Sequence, residues 1–293
     1  ARKTWKYFED FVTEDNNWLP PDNYQSDPPA GVAYRTSPTN IGLALMSNLV
    51  AKDLGYIGVL EFVERTEETI ETLESLEKWQ GHIYNWYDIR TLEPLTPSYV
   101  STVDSGNLAG YLIVLIGGLD ELETEPIIDK VVLEGLRDTI CVYSDMDEDE
   151  LLDLLPENIM RRDFTLTRWQ RILNAIDERE LPEMRKPLAG YQVEIDELLP
   201  WVKILTYIPD FLLEGNLGYR GIDERLLEFL SLLNRSFSME GYFESYQEIL
   251  DVVSDIEMTM GTQTSRDSNH NIGVQWLQDL RHALEKSYEN LKD

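Results

Sequence analysis

Cysteine is nearly absent from this chain of 293 residues, and basic residues are scarce. The single cysteine, Cys141, excludes an internal disulfide, and its apolar neighbours predict a buried, inert thiol. Only 25 Lys and Arg stand against 55 Asp and Glu, so the formal net charge is −30. So acidic a chain repels phosphate backbones and anionic lipid surfaces. We therefore expect neither nucleic acid nor a membrane surface as its partner.

Several chemical motifs are also missing from the sequence. It has no GxxxxGK[ST] loop, no GxGxxG and no GxSxG. His82, His270 and His282 lie in unrelated segments without the spacing of metal ligands, so we expect no metal and no cofactor. No apolar run reaches the ~18 residues of a membrane span, which predicts no direct membrane insertion by this segment. The chain shows no signal peptide and begins within a helical pattern, as a piece of a longer protein would.

Helix signals dominate what is present. Ser37 is a suitable N-cap, Pro38 fits the first helical position, and Gly55 is a stop signal. The residues between them are apolar almost all round, which predicts burial on most sides. The next helix is apolar on one side only, and seven Glu between Glu61 and Glu77 cover its other face. The apolar positions of this one-sided helix are Val59, Val63, Ile70, Leu73 and Leu76.

The same alternation of helix types then repeats. Residues 107–119 are apolar all round and end on Gly117-Gly118, whereas residues 125–143 are apolar on one side. Enclosed helices followed by covering helices predict concentric layers, as in an α/α toroid rather than a simple bundle. The predicted fold class is therefore all-α, an α/α-barrel-like toroid, with this chain an incomplete half of an (α/α)6 barrel plus additional helices. Residues 1–143 would carry the helix pairs and the ligand-site loops, and residues 144–293 an acidic helical extension of the same structural unit.

The second part of the chain has weaker patterns. We expect an acidic helix closed by Pro156, a helix stopped at Leu181-Pro182, and a long helical stretch with its break near Gly241. Residues 261–273 are predicted as a polar loop. No strand pattern persists anywhere in the sequence.

Three segments combine aromatic rings with amides and carboxylates, and none of them is periodic. They are residues 16–29, 34–40 and 81–107. The second and third lead directly into the helices that are apolar all round, and the loops that enter the inner helices of a toroid share one rim. We therefore expect the three segments to converge at the mouth of a cavity.

Rings beside hydrogen-bonding groups suit a neutral sugar, which has an apolar ring face and a rim of hydroxyls. The candidate ring platforms are Trp18, Tyr84, Trp86, Tyr87 and Tyr99. The predicted substrate-binding residues are Asp22, Asn23, Arg35, Asn40, His82, Asn85, Trp86, Tyr87, Asp88, Asp104, Ser105 and Asn107. Glycosidic chemistry commonly uses two carboxylates, and Asp88 and Asp104 form the tentative catalytic pair, with neither assigned as acid or nucleophile.

Structural roles remain open for the same residues. The stretch from Asp104 to Asn107 also suits a helix cap, and residues 19–22 suit a rigid turn. Trp86 is of a type that more often packs in a core, and Arg35 suits a pair with a structural carboxylate.

Five motifs resemble cyclic β-1,2-glucan synthase. They are WKYFEDFVT, NNWLPPDNYQ, RTSPTNIGLAL, GHIYNWYDIRTLEPL and YVSTVDSGNLAG, in this order between Trp5 and about Leu115. The resemblance is to the start of the glycoside-hydrolase-like middle region that performs cyclisation. Beyond about Leu115 no such motif is found, and the chain to Asp293 is interpreted only as a continuation of the same region.

This resemblance implies a function that composition does not. It implies a soluble part of a very large bacterial inner-membrane enzyme, on the cytoplasmic side. One region of that enzyme extends β-1,2-glucan from UDP-glucose, the middle region closes the chain by retaining transglycosylation, and a phosphorylase-like region trims it. The family's second, glucoamylase-like half has no counterpart before Asp293, so the main acid pair is expected outside this chain.

Three hypotheses follow. The first is a β-1,2-glucan-binding part of a transglycosylase, with a β-glucan oligosaccharide and the remaining domains of a larger synthase as partners. The second is a non-catalytic helical interaction or scaffold region of a membrane-bound glucan synthase. The third is a stand-alone hydrolase, which would need Asp88 and Asp104 roughly 5–10 Å apart.

Overall fold

The computed structural model describes residues 1–155, 164–213, 222–261 and 268–292. It is mostly helical, with 67% helix and 6% strand, so the predicted all-α class is confirmed. The closed toroid stays a prediction. The chain divides into two compact units, of which the first comprises residues 1–121 and 134–143 and the second residues 122–133 and 144–293.

The first unit contains short strands between its helices. Its helices are α1 (Arg2–Phe11), α2 (Pro38–Asp53), α3 (Val59–Ser75), α4 (Thr102–Leu122) and α5 (Val131–Tyr143), with a 3-10 turn at Glu14–Asn16. Leu122 and the first three residues of α5 are assigned to the second unit. Its two-residue strands are β1 (Tyr24–Gln25), β2 (Gly31–Val32), β3 (Arg35–Thr36), β4 (Lys78–Trp79), β5 (His82–Ile83) and β6 (Tyr87–Asp88). They pair antiparallel as β1–β2, β3–β6 and β4–β5, which the sequence patterns did not predict.

Helix α2 has the predicted ends. The Ser37 hydroxyl accepts a hydrogen bond from the backbone N–H of Asn40, and Pro38 occupies the first turn. Gly55 follows the helix with a φ of 65°, a conformation that glycine adopts without steric cost. The predicted start and stop of this helix are therefore confirmed.

The buried side of α3 differs from the predicted stripe. Val63 is 42% exposed, whereas Arg65, Thr66 and Thr69 are buried. The reason is Arg65, whose Nη2 donates to the backbone oxygens of Phe8 (2.9 Å) and Val12 (3.0 Å) at the end of α1. Its guanidinium thereby adds a donor to the Phe8 oxygen, which also accepts from the Val12 N–H, and bonds the oxygen of Val12 just after α1. Burial lowers the pKa of Arg65. Apolar spacing could not locate a face built around an arginine.

Helix α4 is longer and more exposed than predicted. Gly117-Gly118 does not end it, since the helix continues to Leu122. A Cβ on Gly118 would lie 2.5 Å from Leu49 of α2, so this glycine permits close helix contact rather than termination. Leu108 and Leu115 are buried, but the opposite face is open to solvent, and the predicted enclosure is wrong for the described residues.

The exposed side chains of α4 are apolar. Val103 and Ile113 are each 70% exposed and Ile116 is 60% exposed. By length and composition alone, α4 is long and apolar enough for a membrane span, with a mean hydropathy of 1.3, and only 11% of that window is buried within the protein. A search for an uninterrupted apolar run does not find this helix, because polar and glycine residues interrupt the apolar positions.

Helix α5 packs against α1 and the turn after α2. The Arg2 Nε donates to Thr139 Oγ1 at 2.9 Å, and the Tyr56 hydroxyl donates to Asp138 at 2.8 Å. Gly135 approaches this turn so closely that a Cβ would lie 1.7 Å from the Gly55 oxygen. Cys141 lies on the open side of α5 and is exposed, so its predicted burial is wrong.

The second unit is a set of packed helices. They are α6 (Glu148–Leu154), α7 (Leu166–Asp177), α8 (Arg185–Leu198), α9 (Trp201–Leu205), α10 (Asp210–Leu213), α11 (Ile222–Leu233), α12 (Met239–Gly261) and α13 (Ser268–Asn290), with a 3-10 turn at Pro182–Met184. Trp201 is fully buried and donates its Nε1 hydrogen to the Leu233 oxygen at 3.2 Å. The Tyr246 and Tyr288 rings stack with their centroids 3.8 Å apart and join α12 to α13.

Two boundaries in this unit differ from prediction. The break expected near Gly241 comes earlier, because α11 ends at Leu233 and α12 begins at Met239. The polar loop predicted over residues 261–273 is helical from Ser268, and residues 262–267 lie outside the described residues, as does Pro156. Helix α6 has the acidic character expected, and Asp147 caps it by accepting from the Glu150 N–H at 2.9 Å.

Candidate functional site

Strands β3 and β6 join two of the three polar-aromatic segments. Arg35 pairs with Asp88 and Thr36 with Tyr87 in antiparallel register. The chain passes from β3 directly into the N-terminus of α2. Residues 84–88 are therefore held beside the point where α2 begins.

Asp22 connects the remaining segment, residues 16–29, to the other two. Arg35 donates to a single oxygen of Asp22, Oδ2, from both Nη2 (2.8 Å) and Nε (3.2 Å), and Asn40 donates to Oδ1 at 3.3 Å. Asn23 donates to Oδ2 at 3.2 Å. The Arg35 guanidinium also lies over the Trp86 ring, 4.8 Å from its centroid. One arginine thus connects all three segments.

Asp104, in the first turn of α4, is the centre of an adjoining group of hydrogen bonds. Its two oxygens accept from Thr39 Oγ1 and Ser101 Oγ, each at 2.6 Å. Asn107 donates to the same Thr39 hydroxyl at 3.1 Å. Thr39 precedes Asn40, so the groups around Asp104 and Asp22 are neighbours along α2.

Asn85 connects this group to the aromatic rings. With its amide nitrogen facing Asp104 Oδ2 at 2.8 Å, its oxygen accepts from Trp86 Nε1 and from the Tyr99 hydroxyl, both at 2.8 Å. This amide orientation is the one that satisfies every partner. Asn85 is 5% exposed, so these bonds form away from bulk water, where an unpaired amide would be costly.

These residues form one constellation, which we call the polar-aromatic cluster. It comprises Asp22, Asn23, Arg35, Thr39, Asn40, Asn85, Trp86, Tyr99, Asp104 and Asn107. Its interior is hydrogen-bonded, and its edge is open: Tyr99 is 49% exposed and the Arg35 side chain 51%. Carboxylates fixed by several donors, an exposed cation and partly exposed rings can meet a neutral polyhydroxyl ligand without an unbalanced charge.

Tyr87 and Ser105 lie in structural positions rather than at the edge of the cluster. Tyr87 is fully buried, and its hydroxyl donates to the Glu77 oxygen (2.8 Å) and accepts from the Tyr84 N–H (2.7 Å). Burial raises its pKa to about 12. Ser105 donates to the Ser101 oxygen within the first turn of α4. A ligand cannot reach the Tyr87 ring in this structure, so we remove it from the predicted contacts.

The two tentative catalytic carboxylates have different surroundings. Asp88 accepts from Arg90 Nη2 (2.7 Å) and Nε (3.1 Å), and this ion pair lowers its pKa. A glycosidic general acid needs the opposite shift, which argues against Asp88 in that role. Asp104 accepts hydrogen bonds from two hydroxyls and serves as a fixed acceptor.

Three further residues predicted for the site do not take part in the hydrogen bonds of the cluster. Trp18 lies 5.8 Å from the buried Arg65 guanidinium. Tyr84 packs against the hydrophobic core around Tyr87. His82 is at the tip of the β4–β5 hairpin, beside Trp79.

Sequence reasoning missed Thr39, which belongs to the cluster, and Ser101, which bonds Asp104 of the cluster. Thr39 lies two positions after the N-cap of α2, where its hydroxyl can bond both Asp104 and Asn107. Ser101 accepts from the Asp104 N–H at 3.2 Å and thus caps α4. The S-x-x-D spacing from Ser101 to Asp104 resembles a capping box and could have revealed this start. The cap of α4 is therefore Ser101, and the stretch from Asp104 to Asn107 lies within the helix, so the capping role considered for that stretch is wrong.

Comparison with known proteins supports the resemblance that the motifs indicated. The chain is 42% identical over 194 residues, 63% of its length, to the cyclic beta-(1,2)-glucan synthase NdvB of Rhizobium meliloti (strain 1021). The chain spans 7% of the length of that relative. No protein-family model matches the chain.

Proposed function

We propose that this chain is a substrate-binding part of an enzyme that acts on β-1,2-glucan, and that the polar-aromatic cluster holds the glucan during retaining transglycosylation and cyclisation. The likeness to a cyclic β-1,2-glucan synthase supports the substrate class. The observation that carries the proposal is the Arg35 side chain, which bonds Asp22 and covers Trp86. The rest of the machinery would come from other domains of a larger synthase, on the cytoplasmic side of the inner membrane.

Each group of the cluster has a role in this proposal. The exposed Tyr99 ring offers an apolar face to a glucose unit, and the half-buried Trp86 ring bonds the same Asn85 side chain as Tyr99. Asn107 and Asn23 are exposed and can donate to sugar hydroxyls as well as accept from them. Asp22 and Asp104 hold the donors in place, so the site is preorganised before the ligand arrives.

The proposed function is tested with two variants of exposed or half-exposed cluster residues. Asn107→Ala and Trp86→Ala should weaken binding of linear β-1,2-glucooligosaccharides to this chain and slow glucan cyclisation by the complete synthase that contains it. Trp86→Phe, which retains a ring, should lie between Trp86→Ala and the unaltered chain. Unchanged binding and unchanged cyclisation in both Ala variants, with helical circular dichroism retained, would sink the proposal.

The catalytic carboxylate pair of the proposed reaction is not assigned to residues of this chain. Retaining transfer requires a general acid and a nucleophile about 5 Å apart. Because Asp88 is held ionised by Arg90 and Asp104 accepts from two hydroxyls, both are better suited to binding or positioning. We propose that the main acid pair comes from another part of the synthase, and that the hydrolase alternative is the weaker one.

A second candidate function is a docking role within a glucan synthase. It is favoured by the open apolar face of α4, where Val103, Ile113 and Ile116 are exposed. Leaving so much apolar surface in water is unfavourable by about 25 cal/mol per Å². In this case Ile113→Asp should disrupt association with the remaining domains and leave glucan binding unchanged. If Ile113→Asp leaves association intact while Asn107→Ala abolishes turnover, the docking role loses its support.

A further inference from the structure

The β4–β5 hairpin presents a large aromatic ring to solvent. Trp79 is 52% exposed, and its ring stacks on His82 with centroids 6.5 Å apart and planes 29° apart. Sequence analysis grouped His82 with the cluster and overlooked Trp79. The two rings instead form a separate surface, which we call the hairpin platform and define as Trp79 and His82.

The hairpin register directs both rings to the same side. Trp79 pairs with His82, and Lys78 pairs with Ile83, so the two pairs lie on opposite faces of the ribbon. The connecting residues Gln80 and Gly81 have φ values of 50° and 84°, which match a tight two-residue hairpin turn. The turn therefore fixes the relative position of the two rings.

The other face of the hairpin is anchored to the first unit. Lys78 Nζ donates to the backbone oxygens of Leu73 (3.1 Å), Glu74 (2.6 Å) and Leu76 (3.0 Å) at the end of α3. A cation at this position also complements the negative end of the helix. Ile83 packs against the hydrophobic core. The rings are thus displayed by a structure that is held in place from behind.

The surroundings disfavour an anionic ligand and a ligand of large contact area. Glu74 and Glu77 are exposed next to the hairpin, so an anion would be repelled. A stable protein interface buries about 800 Å² on each partner, whereas a Trp side chain offers at most about 250 Å². The platform is too small for such an interface but matches one face of a pyranose ring, with the imidazole nitrogens available to its hydroxyls.

We propose that the hairpin platform is an accessory saccharide subsite, which binds a glucose unit of the same glucan chain outside the polar-aromatic cluster. This inference rests on the proposed function and extends it. His82 and Trp86 are four residues apart, so their backbones are separated by at most about 14 Å. This distance is within the reach of one linear oligosaccharide, and in the proposal the platform distinguishes long chains from short ones.

The experiment compares ligands of two lengths on the whole chain. Calorimetric titrations use a β-1,2-linked trisaccharide and a linear β-1,2-glucan several times longer. Trp79→Ala should weaken binding of the long chain roughly three- to tenfold, the range expected for loss of one ring contact, and leave the trisaccharide unaffected. His82→Ala should act in the same direction with a smaller effect. Tyr207→Ala is the matched control, because Tyr207 is 76% exposed in the second unit.

The outcomes separate this inference from the proposed function. If Asn107→Ala weakens both ligands but Trp79→Ala weakens neither, the platform is not a subsite and the cluster remains the binding site. If Trp79→Ala weakens both ligands equally, the platform is not an accessory to the cluster and the inference is wrong. If the unaltered chain binds neither ligand, both the proposed function and this inference fail.

Discussion

Replacing Asp104 by alanine tests the hydrogen bonds at the centre of the polar-aromatic cluster. The substitution removes the acceptor for Thr39, Ser101 and Asn85 at once. Thr39 and Ser101 lie near solvent, so water can replace part of what their hydroxyls lose. Asn85 is 5% exposed and has no such replacement for its amide N–H.

The magnitude follows from these surroundings. A buried amide left without its charged partner costs about 1–3 kcal/mol, and the two hydroxyl bonds add roughly 1 kcal/mol together. We therefore expect Asp104→Ala to lower the free energy of unfolding of the first unit by about 2–4 kcal/mol. Asp104→Asn, which keeps the shape and loses the charge, should cost about half as much.

The assay must report on the first unit alone, because a chain of two units need not unfold in one step. Native-state hydrogen exchange of the α2 and α4 amides provides this local free energy. Asp120→Ala is the control, since Asp120 is an exposed carboxylate of the same helix. An Asp104→Ala effect no larger than that of Asp120→Ala would refute the reasoning.

Three further perturbations follow from other contacts. Arg65→Met removes the guanidinium donor from the Phe8 and Val12 oxygens, of which Phe8 keeps the Val12 N–H, and should destabilise the first unit by roughly 2–4 kcal/mol in urea titrations. Gly135→Ala places a Cβ 1.7 Å from a backbone oxygen and should cost roughly 2 kcal/mol or more, measured by thermal unfolding. Arg90→Ala should raise the Asp88 pKa toward its ordinary value in an NMR titration, because the ion pair lowers it. With that pair present, the Asp88 contribution to stability exists above the unfolded pKa and is lost as pH falls through the lowered folded value.

Each of these three predictions can be contradicted by a specific measurement. Gly110→Ala is the control for the glycine, since nothing lies within 4 Å of its Cβ position, and it should stabilise α4 by about 0.5–1 kcal/mol. Equal effects of the two glycine substitutions would contradict the close approach of α5. Stability retained in Arg65→Met would contradict the buried guanidinium contacts, and an unshifted Asp88 titration in Arg90→Ala would contradict the ion pair.

The start of α2 could be predicted because its signals are local. The N-cap hydroxyl of Ser37, the fixed φ of Pro38 and the stop at Gly55 each act within a few residues. Helix α3 could not be oriented in the same way, because its buried face depends on Arg65 and on carbonyls more than fifty positions away. Spacing of apolar residues cannot encode a partner at that separation.

The proximity of the site segments could be predicted from topology, but the strand pairing that brings them together could not. The convergence of Asp22, Arg35 and Trp86 was predicted from loops that enter inner helices, and the structure brings these three side chains together. The means is the β3–β6 pair, whose two-residue strands are too short for any periodicity. Burial of Tyr87 follows from that pairing as well, and composition alone could not separate it from Trp86.

Binding of a linear β-1,2-glucooligosaccharide, followed by hydrogen exchange along the chain, tests the central proposal most directly. The proposal predicts slower exchange in residues 34–40, 84–88 and 101–107 together, and no change in the second unit. Protection confined to residues 108–122 of α4, or the absence of protection at saturating oligosaccharide, would contradict it.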